Sequence, residues 1–253
     1  MIFDKVLSPF GRMKLIDGPD FGSPRNDIEV APKLLRHSIE KSTGTYARIY
    51  RPQRTLAFTS RDRSTIGYEN AIIQAENLGF APVVRSPGGR AVAYHEESLV
   101  IDILSRDPNP HQFINERFVA LGEIFMESFE KLGIDSKLGQ LPKEFCPGKY
   151  SVINDQFKLV GTAQRISKGG WLISGSVVVR NSYPVREVLN NVYKALNLEM
   201  DPKTVGSLSE VISTISVDDV NTSLLETLTN HFEIMHVDLH INRDDTKKEL
   251  TNV

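Results

Sequence analysis

The chain has 253 residues, of which 40% are apolar and 25% charged, and its formal net charge is −2. It holds no run of about 18 apolar residues, and its first residues lack the basic flank and apolar core of a secretory signal. We therefore expect no membrane span and a cytoplasmic location. The negative charge and the lack of a basic stretch interleaved with aromatic residues argue against a nucleic-acid partner.

Cysteine and histidine content restricts the kinds of site that the chain can hold. Cys146 is the single cysteine, so an internal disulfide cannot form, and a zinc site would have to rely on histidine and carboxylate ligands. The six histidines show no metal-ligand spacing. We predict no metal site.

Prolines and glycines are frequent in the first forty residues, which predict a loop leading into a helix near Pro32 to Lys41. Short apolar runs then predict strands, with a helix near Glu69 to Leu78 between the second and the third. The predicted strands are Tyr46 to Tyr50, Thr55 to Thr59, Pro82 to Arg85, Arg90 to Tyr94 and Leu99 to Leu104.

The clearest predicted helix runs from about Pro110 to Leu132, with Asn109 as its N-cap and Gly133 as its stop. Its apolar residues recur at helical spacing, which predicts a face packed on a sheet. These residues are Phe113, Phe118, Leu121, Phe125 and Phe129. A hairpin of Ser151 to Ala163 and Trp171 to Val179 and a helix from Pro184 to about Leu196 are predicted next.

The pattern changes after Asp201, where the chain becomes acidic. Ser207 and Glu210 have the spacing of a capping box, and apolar residues from Val220 to Leu228 predict a short helix. A strand-like alternation follows at Val237, Leu239 and Ile241. We predict an α+β fold with a mixed sheet flanked by helices, a catalytic domain over residues 1–200 and a small acidic helical appendix and tail over 201–253.

Two glycines, Gly88 and Gly89, separate apolar runs within the stretch from Arg85 to His95. Residues without a Cβ let a ligand lie against the backbone, whose amides can bind a carbonyl or phosphate oxygen. Two adjacent glycines are also typical of a plain turn. His95 by itself is more typical of a structural histidine than of an acid or base.

Cys146 precedes Pro147 and Gly148, which force a turn, and Lys143 and Lys149 flank it. A thiol in an exposed, electropositive loop is typically reactive, although an isolated cysteine is more often a small buried side chain. Lys158 could be a solvent-facing residue of a half-buried strand, which is the default for lysine, but it lies in an apolar run, where lysine charge is often functional. A thiolate nucleophile with a cation nearby predicts acyl-group chemistry.

Three ordered motifs resemble those of the lipoate and biotin protein ligase superfamily, over about Ala47 to Leu196. They are Arg-Ser-Pro-Gly-Gly-Arg-Ala-Val, Lys-Leu-Val-Gly-Thr-Ala-Gln-Arg and Leu-Ile-Ser-Gly-Ser-Val-Val-Val. Pro87 and Arg90 stand where smaller residues are more usual, and the glycine- and arginine-rich biotin-ligase string is absent. The loop Phe-Cys-Pro-Gly-Lys-Tyr at 145–150 resembles that of the cysteine-dependent octanoyl and lipoyl amidotransferase branch.

The resemblance implies an octanoyl or lipoyl transferase of lipoate assembly. Cys146 would carry the acyl group as a thioester and Lys158 would bind its carbonyl oxygen. The other implied substrate-binding residues are Arg85, Gly88, Gly89, His95, Gly161, Thr162 and Ala163. The implied partners are an octanoylated or lipoylated donor carrier protein and an acceptor lipoyl-domain protein, with no cofactor.

Two alternatives remain open on the sequence. An ATP-dependent lipoate-protein ligase would form lipoyl-adenylate with ATP and Mg²⁺ and would not need the thiol. A non-catalytic module that binds lipoate or an acyl group would need the fold and Lys158 without turnover.

Overall fold

The computed structural model describes residues 2–18 and 21–238. Its helices are α1 (Ile2–Leu7), α2 (Pro24–Lys41), α3 (Ser60–Arg63), α4 (Tyr68–Asn77), α5 (Ile114–Lys131), α6 (Tyr183–Ala195) and α7 (Val217–His231). Its strands are β1 (Arg12–Asp17), β2 (Thr45–Tyr50), β3 (Thr55–Phe58), β4 (Ala81–Val84), β5 (Val92–Tyr94), β6 (Ser98–Arg106), β7 (Lys137–Gly139), β8 (Ser151–Ile153), β9 (Lys158–Ser167), β10 (Gly170–Val178) and β11 (Glu233–His236).

Eight strands form one mixed sheet in the order β11-β1-β2-β6-β10-β9-β8-β7. The β11–β1 and β1–β2 pairs are parallel, whereas the remaining neighbours are antiparallel. Strands β4, β3 and β5 form a second, three-stranded sheet. This arrangement confirms the predicted α+β fold with a mixed sheet and flanking helices.

The two faces of the large sheet differ in polarity. On one face, alternate residues of β2, β6 and β10 pack with α1, α5 and α7 into the main apolar core, which includes Ile101, Phe125 and Leu224. On the opposite face, Tyr46, Leu104 and Leu172 pack against α2 in a second apolar cluster, and beside them the same strands present Arg48, Asp102 and Ser174. Since side chains alternate along a strand, the part of this second face that α2 does not cover is available for a polar function.

Helices α4 and α6 pack on the small sheet around a separate apolar cluster that includes Phe58, Ala93 and Val192. The small sheet therefore has its own support and places β5 opposite the polar face of the large sheet. Arg85 and the predicted glycine turn connect β4 to β5 at this position.

The prediction of a loop over the first forty residues was wrong, because α1 and β1 lie there and α2 begins at Pro24. The Ser23 side chain caps α2 by accepting a hydrogen bond from the Asn26 amide, and Pro32 is accommodated inside the helix. The long helix also begins later than predicted, at Ile114, after Phe113 adopts a φ of 62°.

The predicted capping box of Ser207 and Glu210 is confirmed, and the predicted helix near Val220 corresponds to α7. The Ser223 hydroxyl of α7 donates to the carbonyl of Ser128 on α5 at 2.8 Å. Leu239 and Ile241 of the predicted last strand lie outside the described residues. The division of the chain at residue 200 stays a prediction. Among residues 2–18 and 21–238, no helix combines the length and apolarity needed to cross a bilayer.

Candidate active site

Glu144 is the centre of the loop that carries the cysteine. Its carboxylate is buried, and Oε1 accepts hydrogen bonds from the Gly148 amide at 3.1 Å and the Ser151 hydroxyl at 2.8 Å. Its Oε2 accepts the Leu141 amide at 3.1 Å. One carboxylate thus holds both sides of the loop that surrounds Cys146.

Lys158, the first residue of β9, completes this network. Its ammonium is buried and lies 3.1 Å from Glu144 Oε1. It also donates to the carbonyl oxygens of Phe145 at 2.9 Å and Cys146 at 2.8 Å. The buried charge is therefore both paired and fully hydrogen-bonded, which is the condition under which a lysine can remain buried.

Cys146 is held in a conformation that a residue with a Cβ seldom adopts, with a φ of 41°. Its amide donates to the Tyr193 hydroxyl at 2.7 Å, and that hydroxyl donates to the Ala91 carbonyl at 3.0 Å. Lys158 holds the carbonyl side of the same residue. The position of the thiol is thus fixed by α6 on one side and β9 on the other.

The thiol itself lies against the predicted glycine turn. Its Sγ accepts the Arg90 amide at 3.2 Å and lies 4.0 Å from an Arg85 guanidinium nitrogen. Gly89 has a φ of 102°, and a Cβ added there would stand 2.6 Å from Sγ, so the contact requires glycine. An amide and a guanidinium are placed to stabilise negative charge that develops at the sulfur or at a bound carbonyl oxygen.

Arg85 joins the glycine turn to the thiol. Its guanidinium donates to the carbonyls of Gly88 at 2.9 Å and Arg90 at 3.1 Å. Burial acts to lower the pKa of Arg85, but the neighbouring Tyr94 and Cys146 side chains together hold that pKa above its ordinary value. Arg85 is therefore the cation beside the thiol.

The lysines expected to flank the thiol lie elsewhere. Lys143 pairs with Glu199 at 2.5 Å, and Lys149 lies 4.8 Å from the centre of the Tyr150 ring. Both lysines thus contact other groups, and the cation in contact with the thiol comes from another part of the chain. Sequence neighbours need not share a side of the loop, and Arg85, sixty-one positions away, takes this place.

Small residues leave a slot between the large sheet and β5. Gly161 pairs with Ser176, and Ala163 pairs with Ser174, on the polar face of the sheet. A small cavity of about 20 Å³ lies beside Lys158 and Gly161, and a second one of about 30 Å³ lies beside Arg85. Tyr94 lines both cavities and stands between them.

Thr162 and His95 do not enter this slot. The Thr162 hydroxyl donates to the Tyr150 carbonyl at 3.2 Å, because strand alternation turns it away from Gly161 and Ala163. His95 Nε2 donates to the Asn181 carbonyl at 2.9 Å, and Nδ1 accepts the Glu97 amide at 2.9 Å. Burial lowers the pKa of His95. Both ring nitrogens are thus used within the protein.

Sequence reasoning missed three supporting residues. They are Glu144, which holds the cysteine loop, Tyr193, which holds the Cys146 amide, and Asp62, which lies 3.2 Å from the Arg90 guanidinium. The one local signal was the position of Glu144, two residues before the thiol. Tyr193 and Asp62 reach the site only through the fold.

A family model for the Lipoyl protein ligase A/B catalytic domain matches residues 23–229. The chain belongs to this family. An Octanoyl-[GcvH]:protein N-octanoyltransferase of Bacillus velezensis is 26% identical over 195 residues, 72% of this chain and 68% of the relative. A relative of the same name from Exiguobacterium sp. is 26% identical over 162 residues, 60% of this chain and 58% of the relative.

A solved structure of lipoate-protein ligase A bound with ATP has the same fold, with a TM-score of 0.69 at 18% identity. The match covers 92% of this chain and 89% of that chain. At this identity the likeness establishes the fold of the lipoate-protein ligases and leaves the reaction to be argued from the site.

Proposed function

We propose that this chain is a cysteine-dependent octanoyl or lipoyl transferase of lipoate assembly. The observation that carries the proposal is the placement of Cys146 Sγ against the Arg90 amide and beside Arg85, with the buried Lys158 ammonium on the carbonyl of the same residue. Nucleophile, cation and amide donor then meet at one end of the slot, which is what acyl transfer requires.

In the first step, Cys146 Sγ attacks the acyl carbonyl of an acylated lysine on a donor carrier protein. A sulfur–carbon bond forms, the amide carbon–nitrogen bond breaks, and the proton lost by the thiol leaves with the donor amine. In the second step, the amine of an acceptor lysine attacks the thioester, a new amide carbon–nitrogen bond forms, the carbon–sulfur bond breaks, and the proton lost by that amine returns to the sulfur. Because an amide is exchanged for an amide, no ATP is consumed.

Lys158 would bind the acyl oxygen in this reaction. All three of its hydrogen bonds are used by Glu144, Phe145 and Cys146. Binding of the substrate carbonyl would therefore replace one of the two loop carbonyls while the bond with Glu144 remains. The acyl oxygen then gains a charged donor that is already desolvated, while one loop carbonyl gives up its hydrogen bond.

The slot suits a medium-length chain. Burial of the seven carbons beyond the carbonyl, at about 0.8 kcal/mol each, contributes about 5–6 kcal/mol to the free energy of binding the acyl chain. Such a chain would lie along Gly161 and Ala163, and Tyr94 would have to move aside to join the two small cavities into one tunnel. This burial holds the acyl chain in place while its carbonyl carbon reacts with Cys146.

The ligase alternative has less support from the site. A glycine turn can offer its amides to a phosphate, but here the Arg90 amide is taken by Cys146 Sγ, which also fills the space over Gly89. An adenylate would have to displace the cysteine loop. Only this alternative requires ATP and Mg²⁺.

The partners proposed are an octanoylated or lipoylated carrier as donor and a lipoyl-domain protein as acceptor. The curated relatives name octanoyl-[GcvH] in their own reaction, which supports a carrier of that class. The test mixes the chain with octanoyl-GcvH and an unacylated lipoyl domain without ATP, and follows the intact mass of both. We expect the octanoyl group to move to the lipoyl domain.

The control is the same mixture with Cys146→Ser. We expect the transfer to stop, since a serine hydroxyl is a much weaker nucleophile at neutral pH. Transfer that persists in Cys146→Ser, or that needs free acid and ATP, would favour the ligase. Binding of lipoate with no transfer from any donor would favour the non-catalytic module.

A further inference from the structure

Arg90 of the glycine turn has a side chain that the proposed transfer reaction does not use. Smaller residues are more usual at this position of the family motif. The backbone amide of Arg90 donates to Cys146 Sγ at 3.2 Å, whereas its guanidinium donates to Asp62 of the short helix α3, also at 3.2 Å. The ion pair of Asp62 and Arg90 therefore joins α3 to the residue whose amide faces the nucleophile.

Asp62 is a fully buried carboxylate, with a side-chain exposure of 0%. Its Oδ2 accepts hydrogen bonds from the Thr59 amide at 2.9 Å and the Thr59 hydroxyl at 2.8 Å, within the capping box that begins α3. Its Oδ1 accepts the Arg90 guanidinium. A charge removed from water requires such partners, and the carboxylate held by its own helix gives Arg90 a fixed point of attachment.

The start of α3 contacts the turn at a second point. The Thr59 hydroxyl lies 3.3 Å from the carbonyl oxygen of Gly89, the residue before Arg90. Farther along, Arg85 donates to the carbonyls of Gly88 at 2.9 Å and Arg90 at 3.1 Å. Because a peptide group is planar, contacts that hold the Gly89 carbonyl also set the direction of the Arg90 amide.

The direction of this amide matters for the chemistry of the thiol. Two adjacent glycines allow the turn many backbone conformations, and Gly89 takes one with a φ of 102°. A hydrogen bond to a charged acceptor is stronger than one to a neutral acceptor, so an amide aimed at Cys146 Sγ stabilises the thiolate over the thiol. Contacts that fix the turn therefore favour the nucleophilic form of the cysteine.

We propose that the ion pair of Asp62 and Arg90 positions the Arg90 amide against Cys146 Sγ and so keeps the thiol reactive. This inference rests on the proposed transferase function and adds two residues to the machinery of the same site. Both act through the backbone amide, so both are positioning residues.

A direct effect of charge predicts a different result from loss of positioning. The negative charge of Asp62 acts on Arg85, which lies beside the thiol. By charge alone, removal of the Asp62 carboxylate would favour the thiolate. Loss of the amide contact would instead favour the thiol. The charged and titratable side chains of the elements around the thiol also include Tyr94, Glu144, Lys158 and Tyr193, and all of these stay unchanged in the variants below.

The experiment follows alkylation of Cys146 by iodoacetamide over a pH series. Cys146 is the single cysteine of the chain, so the label reports on one site. The readout is the alkylation midpoint, the pH at which the rate constant reaches half of its maximum. Each variant is measured below the onset of its own thermal unfolding, so that reduced stability alone does not move the midpoint.

In Asp62→Asn we expect the alkylation midpoint to rise by about one pH unit, the scale of one hydrogen bond to a charged acceptor. Arg90→Met, at a side chain that is 18% exposed, should raise it by a similar amount and serves as the second test of the pair. Arg90→Lys keeps a cationic donor for Asp62 and should retain most of the wild-type value. Arg63→Met is the matched control, because it removes an exposed arginine from the same helix, and its midpoint should equal that of the wild type.

The rate of Cys146 octanoylation by octanoyl-GcvH is measured in parallel. Below the midpoint, a shift of one pH unit lowers the thiolate fraction about tenfold, so we expect acylation of Asp62→Asn to slow by about this factor.

The outcomes separate the positioning role from the proposed function. An alkylation midpoint that falls or stays unchanged in Asp62→Asn and Arg90→Met overturns the positioning role. An Arg90→Lys protein that behaves like Arg90→Met overturns the part played by the ion pair. A wild type that forms no thioester overturns the proposed transferase, whereas the alkylation series, which needs no acyl donor, still decides the positioning role.

Discussion

The Glu144 carboxylate offers the sharpest test of how the active-site loop is held. Glu144→Gln keeps the size of the side chain but removes the negative charge beside Lys158, which lies 3.1 Å away. The amide also replaces one of two acceptor oxygens by a donor. If the amide oxygen keeps the bonds from Gly148 and Ser151, its nitrogen faces the Leu141 amide, donor against donor.

The expected magnitude follows from these contacts. Both partners are buried, with side-chain exposures of 2% and 0%, so solvent does not screen the pair. Removing one partner of a buried ion pair costs about 3–5 kcal/mol, which includes the unpaired charge left behind. At about 2–4 °C per kcal/mol for a chain of this size, the melting temperature should fall by roughly 6–20 °C.

Thermal and urea unfolding measure this loss, and the rate of Cys146 acylation by octanoyl-GcvH measures its functional consequence. We expect acylation to slow at least about tenfold, since a small misplacement of a reacting group is enough for such a loss. Glu199→Gln is the matched control, because its pair with Lys143 is exposed and screened by solvent and should contribute little to stability. A Glu144→Gln protein that melts within about 2 °C of the wild type would refute this reasoning.

The glycine turn and the buried histidine give two further predictions. Gly89→Ala should lower both stability and the acylation rate, because its Cβ would stand 2.6 Å from Cys146 Sγ at a φ of 102°. Gly88→Ala is the control: its Cβ would meet open space, so its unfolding midpoint in urea should stay near that of the wild type. Burial lowers the pKa of His95 from 6.5, so below about pH 6.5 the unfolded chain binds a proton that the folded chain does not, and stability falls as pH drops. His95→Gln should lose stability less steeply over that window in urea titrations at pH 5 to 7, and parallel slopes for the two proteins would contradict this.

Periodicity was enough to predict the elements that pack on the site. The helix that contains Phe125 buries one regular face, and the strands around Tyr46 and Leu99 are short apolar runs buried on both faces. Both patterns are visible in a single sequence. The residue at which each helix begins was harder to predict. Proline content favoured a loop near the N-terminus, yet the Ser23 cap and burial of Val30 and Leu34 support α2 from Pro24 onward.

The site could be predicted in its reactive residues but not in its supporting ones. Cys146 and Lys158 are unusual for their local sequence, and motif resemblance placed them in one site, where the structure joins them through the Cys146 carbonyl. The cation beside the thiol is Arg85, which is sixty-one positions away in the sequence. The residue that binds the Cys146 amide is Tyr193, which is forty-seven positions away. Such contacts leave no periodic pattern in the sequence.

The direct test of the central claim is the intact mass of the chain after brief incubation with octanoyl-GcvH and no acceptor. We predict a mass increase of one octanoyl group that maps to Cys146, is released by neutral hydroxylamine as a thioester, and is absent from Cys146→Ser. An unmodified wild-type chain that nevertheless delivers octanoate to an added lipoyl domain would contradict the covalent account.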